Sequence, residues 1–294
     1  MPSANMHKVA KEVKACRTRL GLGLRPAREL FDACERGDVL VFRMSLPDNV
    51  SGAFVRSKRH KLDVIVVNTL RKCVHHQRFT LAHELGHLAL HESKDGLVES
   101  LPDRAEDRPG SEREADTFAA ALLVPLKEIR RILHYELRVS PMECDDRLVI
   151  GLAEKFGVSH HVILRRLRAL DRDKLKFDWV RERAEGTDWN AMWRQYAPAS
   201  HPDTIPTDTV IPSWHPEGVS DETAVAVSRF PDNYREMAFE AYRRGKITGA
   251  KLAEILGLAG KEVVIRDLAP ILKPELVAEH KELERALREG AGEE

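Results

Sequence analysis

Residues 78–87 read Arg78-Phe-Thr-Leu-Ala-His-Glu-Leu-Gly-His87, and the period of the stretch is that of a helix. Phe79, Leu81 or Ala82, Leu85 and Leu88-Ala89 occupy core-facing positions, so His83 and His87 ride on a helix that belongs to the interior. Four residues apart, the two imidazoles share one face, about 6 Å apart along the axis, and both can reach one ion. Zinc suits neutral imidazole, and Glu84, beside His83, can lean over an open coordination position as a base. His91 continues the series, but its Cα lies about 12 Å along the helix from that of His83, too far for three side chains of one straight helix to converge. The longer H-E-x-x-H-x-x-G-x-x-H pattern needs a glycine and a histidine where this chain has Leu90 and Ser93. His91 therefore reads as a helix-end residue.

A catalytic zinc usually takes three protein ligands, the third often from another helix. Glu112 is the choice here, because Glu112, Ala115, Asp116, Ala119 and Leu122-Leu123 share one face at helical spacing. Asp116, one turn on, is placed to accept the second ring N–H of a ligand histidine. Glu114 lies about 200° around from Glu112 and should face solvent. A second reading stays open at this point: Glu112 and Asp116 simply favour the positive N-terminal end of their helix.

Working outward, the 294 residues carry 47 Lys+Arg against 47 Asp+Glu. That balance removes any whole-chain argument for nucleic acid. A hydrophobic share of 43% with 32% charged residues describes a soluble globular protein. The longest apolar run, Phe118 to Val124, is too short to span a bilayer, so no membrane role is expected. The N-terminal lysines have no apolar core behind them, as a secretory signal would. Cys16, Cys34, Cys73 and Cys144 lie far apart with no C-x-x-C pair, which gives neither a disulfide framework nor a thiolate zinc site. The expected address is the cytoplasm.

The expected fold is α+β and mainly helical. Residues 1–130 carry the two site helices and a small sheet built from Val39–Phe42, Gly52–Val55 and Val64–Val67. Val64–Val67 reads equally as an exposed edge for an extended substrate or as an ordinary buried strand. Residues 131–176 read as a helix-turn-helix-like unit packed on that core, with Gly157 in the turn and Ser159 as cap. Its second helix carries Arg165, Arg166 and Arg168, readable as a recognition helix, as a substrate-docking face or as a solvated surface. A Trp/Pro-rich linker or pad (177–228), a small helical unit (229–270) and a charged helical tail (271–294) follow. One echo stands out: Leu152-Ala-Glu-Lys-Phe-Gly-Val158 and Leu252-Ala-Glu-Ile-Leu-Gly-Leu258.

The stretch Arg78–His87, followed by Glu112-Arg-Glu-Ala-Asp-Thr-Phe-Ala-Ala-Ala-Leu-Leu-Val-Pro125, resembles the ImmA/IrrE family of metallopeptidases. That family pairs R-F-T-x-A-H-E-x-x-H with E-x-x-A-(N/D)-x-F-A-x-x-L-L-x-P, and the resemblance covers roughly residues 8–175. It implies a gluzincin-like minimal metallopeptidase core, metal ligands at His83, His87 and Glu112, and Glu84 as base. It also implies a protein substrate, a DNA-binding repressor expected to be of the Xre helix-turn-helix type, whose cleavage derepresses mobile-element, toxin–antitoxin or stress genes. Asp116 stands where the family often has Asn, which keeps the acceptor role. Zinc is the expected ion, although two His and one Glu also suit manganese. A donor to the tetrahedral oxyanion is expected as well, with His134 and Tyr135 as candidates. The rival from another class is a DNA-binding transcriptional regulator with a structural, non-catalytic metal site. A structural site closes four protein ligands around zinc, whereas this chain offers three.

Overall fold

Helix α1 (Ala4–Arg19) turns Val9, Val13 and Cys16 inward, one turn apart, with Leu20 just beyond it. The short α2 (Leu30–Glu35) buries Leu30, Ala33 and Cys34. The chain then changes period into β1 (Val39–Met44), β2 (Val50–Ser57) and β3 (Leu62–Asn68). The computed structural model describes residues 4–197, apart from 38, 45, 47–49, 58–61, 70–73, 92–96, 101–109, 172–174 and 176, and then 227 and 230–258. Cys73, Trp214, most of the 198–228 stretch and the 271–294 tail therefore lie outside the described residues.

The sheet runs in the order β1-β3-β2-β4, with β1 parallel to β3 and β2 antiparallel to both its neighbours. The structure adds to the expected sheet and corrects it. A fourth strand, β4 (Leu97–Ser100), joins the three that the sequence announces. Four residues carry too little alternation to announce a strand, and pairing with β2 makes it one. Val64–Val67 belongs to β3, which has β1 on one side and β2 on the other, so the reading of it as a free edge is withdrawn.

One side of the sheet lies on α3 (Val74–Leu90), and α4 (Gly110–Leu123) crosses α3 from elsewhere in the core. Then come α5 (Leu126–Arg131), a π-helical turn (Ile132–Leu137) and a short 3-10 turn (Pro141–Glu143). The first unit closes with α6 (Asp146–Phe156), α7 (His160–Leu170), α8 (Phe177–Gly186) and α9 (Trp189–Tyr196). By contacts the chain forms two compact units, Met1–Asp208 and Thr209–Glu294. In the first, a single apolar cluster runs from Val9 to Ala197 and takes in Trp189 and Trp193. The second unit contains α10 (Asp232–Arg243) and α11 (Gly249–Ile255), closed over Phe239, Leu252, Leu256 and Leu258.

The internal echo has a local explanation. Gly157 (φ 64°) and Gly257 (φ 66°) both sit in the left-handed region just past a helix. Val158 N–H reaches back to Ala153 O, and Leu258 N–H reaches back to Ala253 O. This is the glycine-terminated helix ending, with the following apolar residue folded onto the core. The repeated letters are two copies of a stop signal. Ser159, expected as a capping side chain, occupies the N-cap position of α7 but makes no side-chain cap hydrogen bond.

Helix α9 ties the start of α3 to the start of α7. The Trp189 ring stacks on His160 (centroids 4.4 Å apart), Trp193 Nε1 donates to His160 Nδ1 at 3.4 Å, and the His75 ring lies 5.3 Å from Trp193. Burial pushes His75 down to about 4, helped by Arg78 and Arg28, and burial likewise pushes His160 down to about 4. An unfolded chain protonates these rings near 6.5, so between that value and about 4 it binds more protons than the folded one. Stability should fall as pH drops through this window and be insensitive to these groups above it. Urea midpoints at pH 7.5 and pH 5 provide the check. The drop between them should be smaller in His75→Phe than in the wild type, and an equal drop would remove His75 from the account.

Candidate metal centre

Helix α3 is buried on nearly every side, with the sheet on one face and α4 on another. The two helices approach closely at Gly86, where a Cβ would lie 3.1 Å from the Ala115 Cα and 3.1 Å from the Phe118 ring. That approach brings the first turn of α4 to the two histidines. His83 Nε2 and His87 Nε2 are 2.9 Å apart, and each lies 3.3 Å from a different oxygen of Glu112. All three side chains are buried, and their ligand atoms fall within 4.8 Å of one another. A tetrahedral zinc with bonds of about 2.0–2.1 Å spaces its ligand atoms about 3.3 Å apart. The triangle fits such an ion, and two imidazoles with one carboxylate are donors that zinc and manganese both accept.

Each histidine is held from behind. His83 Nδ1 lies 3.0 Å from Asp116 Oδ1, and Arg165 Nη1 is 3.9 Å from the other Asp116 oxygen. His87 stacks on Phe54 of β2 (centroids 5.8 Å apart, planes 10° apart), and its Nδ1 faces His91 Nδ1 at 3.0 Å. His91 Nε2 lies 3.3 Å from Glu114 Oε2. Glu114 therefore does not simply face solvent as expected. A position 200° from the site face is free only on a helix with one packed side, and α4 is packed by both α3 and α1.

Glu84 is 0% exposed. It lies beneath β2 at Gly52, where a Cβ would come within 2.7 Å of Glu84 Oε1, 2.6 Å of Thr80 Cγ2 and 3.1 Å of Val66 O. Sequence reasoning missed Gly52. The signal was available, since a glycine inside an otherwise strand-forming run marks a close approach. Arg78 was also quoted without a role. It donates from Nε to Arg28 O and from Nη1 to Gly157 O, fastening α3 to the turn between α6 and α7.

The remaining expected site residues lie on other elements. His134 and Tyr135 sit on the π-helical turn and line a surface pocket of about 430 Å³ together with Arg130, Ser140 and Asp171. That pocket shares no residue with the metal-ion group, and Tyr135 is 73% exposed. Arg166 is buried and donates from Nε to Val124 O at 2.8 Å, so it is a packing residue and not part of a docking face. Arg168 is half-buried. Along α7 only His161 and Arg165 are exposed, because α4, α5, α6 and α8 all pack against that helix. A recognition helix needs a broad free face to enter a major groove, and α7 lacks one.

Against known protein families, residues 34–168 match the family model described as the IrrE N-terminal-like domain, a peptidase family. The matched stretch contains His83, Glu84, His87, Glu112 and Asp116 and leaves out α1. No curated protein matches the chain.

The steric reading of Gly52 is open to test. Gly52→Ala should cost about 1–3 kcal/mol in urea unfolding, as overpacking typically does. Thr80→Ser removes the nearer of the two side-chain obstacles, so the double variant should recover part of that loss. Strict additivity of the two substitutions would remove Thr80 from the contact.

Proposed function

Because residues 34–168 belong to the ImmA/IrrE peptidase family, we propose that this chain is a zinc-dependent endopeptidase. Its substrate is a DNA-binding transcriptional repressor of the Xre helix-turn-helix type, and its cleavage derepresses mobile-element, toxin–antitoxin or stress genes. The observation that carries the reading is the convergence of His83, His87 and Glu112 beside a fully buried Glu84. When bound, the ion would acidify the attacking water and polarise the scissile carbonyl. Glu84 would take the proton from the attacking water and later deliver it to the leaving amine. Packing under Gly52 restricts where its carboxylate can sit. Asp116, 3.0 Å from His83 Nδ1, would accept its N–H and so leave the Nε2 lone pair free for a bound ion.

The regulator reading loses support on two counts. Among the described residues the metal-ion group contains three ligands and no fourth, and the basic helix α7 spends Arg166 on the core. A cytoplasmic address accords with Cys16, Cys34 and Cys144, which are buried free thiols. Burial pushes Cys34 up to about 12 and Cys144 up to about 11. No described helix is long and apolar enough to cross a membrane.

The test is a gel assay of an Xre-type repressor incubated with wild type or Glu84→Gln at equal zinc occupancy. The wild type should cut, and the variant should bind zinc normally but cut about 10²–10⁴-fold more slowly. Cleavage by the variant within tenfold of wild type would take the base role from Glu84. A wild type that cuts no repressor yet still derepresses promoters in cells would overturn the peptidase reading. In the same assay Asp116→Ala should lose about 10–100-fold in activity or zinc affinity, while Glu112→Gln should leave the purified protein depleted of zinc.

A further inference from the structure

A second chain of polar contacts starts at His87 and runs away from the site. His87 Nδ1 faces His91 Nδ1 at 3.0 Å, and His91 Nε2 faces Glu114 Oε2 at 3.3 Å. The Asn5 side-chain amide of α1 donates to Glu114 Oε1. Nearby, Lys8 Nζ donates to Leu90 O at 2.8 Å, so the first turns of α1 clasp the end of α3.

The direction of each hydrogen bond follows from the proposed metal-site reading, on which this inference rests. If His87 offers the Nε2 lone pair to an ion, its proton sits on Nδ1, which must donate. The Nδ1 of His91 then accepts, and that places the His91 proton on Nε2. This N–H donates to the Glu114 carboxylate, whose other oxygen takes the Asn5 N–H. Every N–H along the path meets a lone pair. The alternative tautomer of His87 would aim its Nε2 proton at His83 Nε2, 2.9 Å away, and turn its Nδ1 lone pair to His91.

We propose that His91, held in place by Glu114 and Asn5, is the positioning residue for His87, as Asp116 is for His83. It sets the tautomer and ring orientation of the second ligand without touching the ion. The two ligands are then supported differently, one by a carboxylate directly and the other by a neutral ring that a carboxylate backs. The arrangement also makes α1, which lies outside the matched stretch, part of the support of the centre.

The experiment measures zinc affinity of the full chain by competition with a chromophoric chelator, alongside thermal midpoints of the metal-free proteins. His91→Phe keeps a ring of similar size and removes the acceptor. It should weaken zinc binding about 10–100-fold with a metal-free midpoint close to wild type. His91→Gln, whose amide can accept from His87 and donate to Glu114, should restore most of the affinity. The cobalt-substituted protein supplies a second readout, with visible bands shifted in His91→Phe and near wild type in His91→Gln. Zinc affinity of His91→Phe within threefold of wild type overturns the positioning role while leaving the metal site standing. A wild type that binds no zinc overturns both. If His91→Phe does not fold, Glu114→Ala takes its place, with an expected loss of about tenfold, and wild-type affinity there overturns the proposal.

Discussion

The crossing of α3 and α4 is the constraint on which the rest of this molecule depends. The ligand set is divided between the two helices, His83 and His87 on one and Glu112 on the other, and the two must nearly touch for the side chains to converge. Gly86 permits that contact by removing the side chain that would strike Ala115 and Phe118. The opposite face of α3 meets β2, where a second glycine, Gly52, leaves room for the Glu84 carboxylate. A helix enclosed on both sides must satisfy its polar groups internally. Asp116 and His91 do so for the outward ring nitrogens.

Three buried arginines explain how the surrounding helices are kept in register. Arg17 donates to Leu122 O, Leu22 O, Gly23 O and Arg25 O, Arg78 to Arg28 O and Gly157 O, and Arg166 to Val124 O. Burial pulls Arg17 down to about 10, which still leaves it charged at neutral pH. Two of the three sit at the C-terminal end of α4, where unpaired carbonyls and the negative end of the helix dipole favour a cation. The planar guanidinium can bridge several carbonyls at once, which a lysine cannot. This is also why a basic helix such as α7 need not face nucleic acid. One of its arginines is consumed in closing the end of the neighbouring helix.

The amino-acid sequence determined the local elements and the chemistry of the first layer. Apolar period places α3 and α4, and ligand spacing picks out His83, His87 and Glu112 as a candidate set before any contact is known. Turn chemistry predicts the ending at Gly157. These features are legible because they depend on residues within about one or two helical turns of each other. Tertiary structure alone decided what lies across space. It decided that β4 exists, that β3 is interior, that Arg166 is buried, that Glu114 meets His91, and that Gly52 stands over Glu84. None of these has a period to read. Each is set by which element packs against which, and a side chain at a given helical angle faces solvent or a partner only according to what the fold puts there.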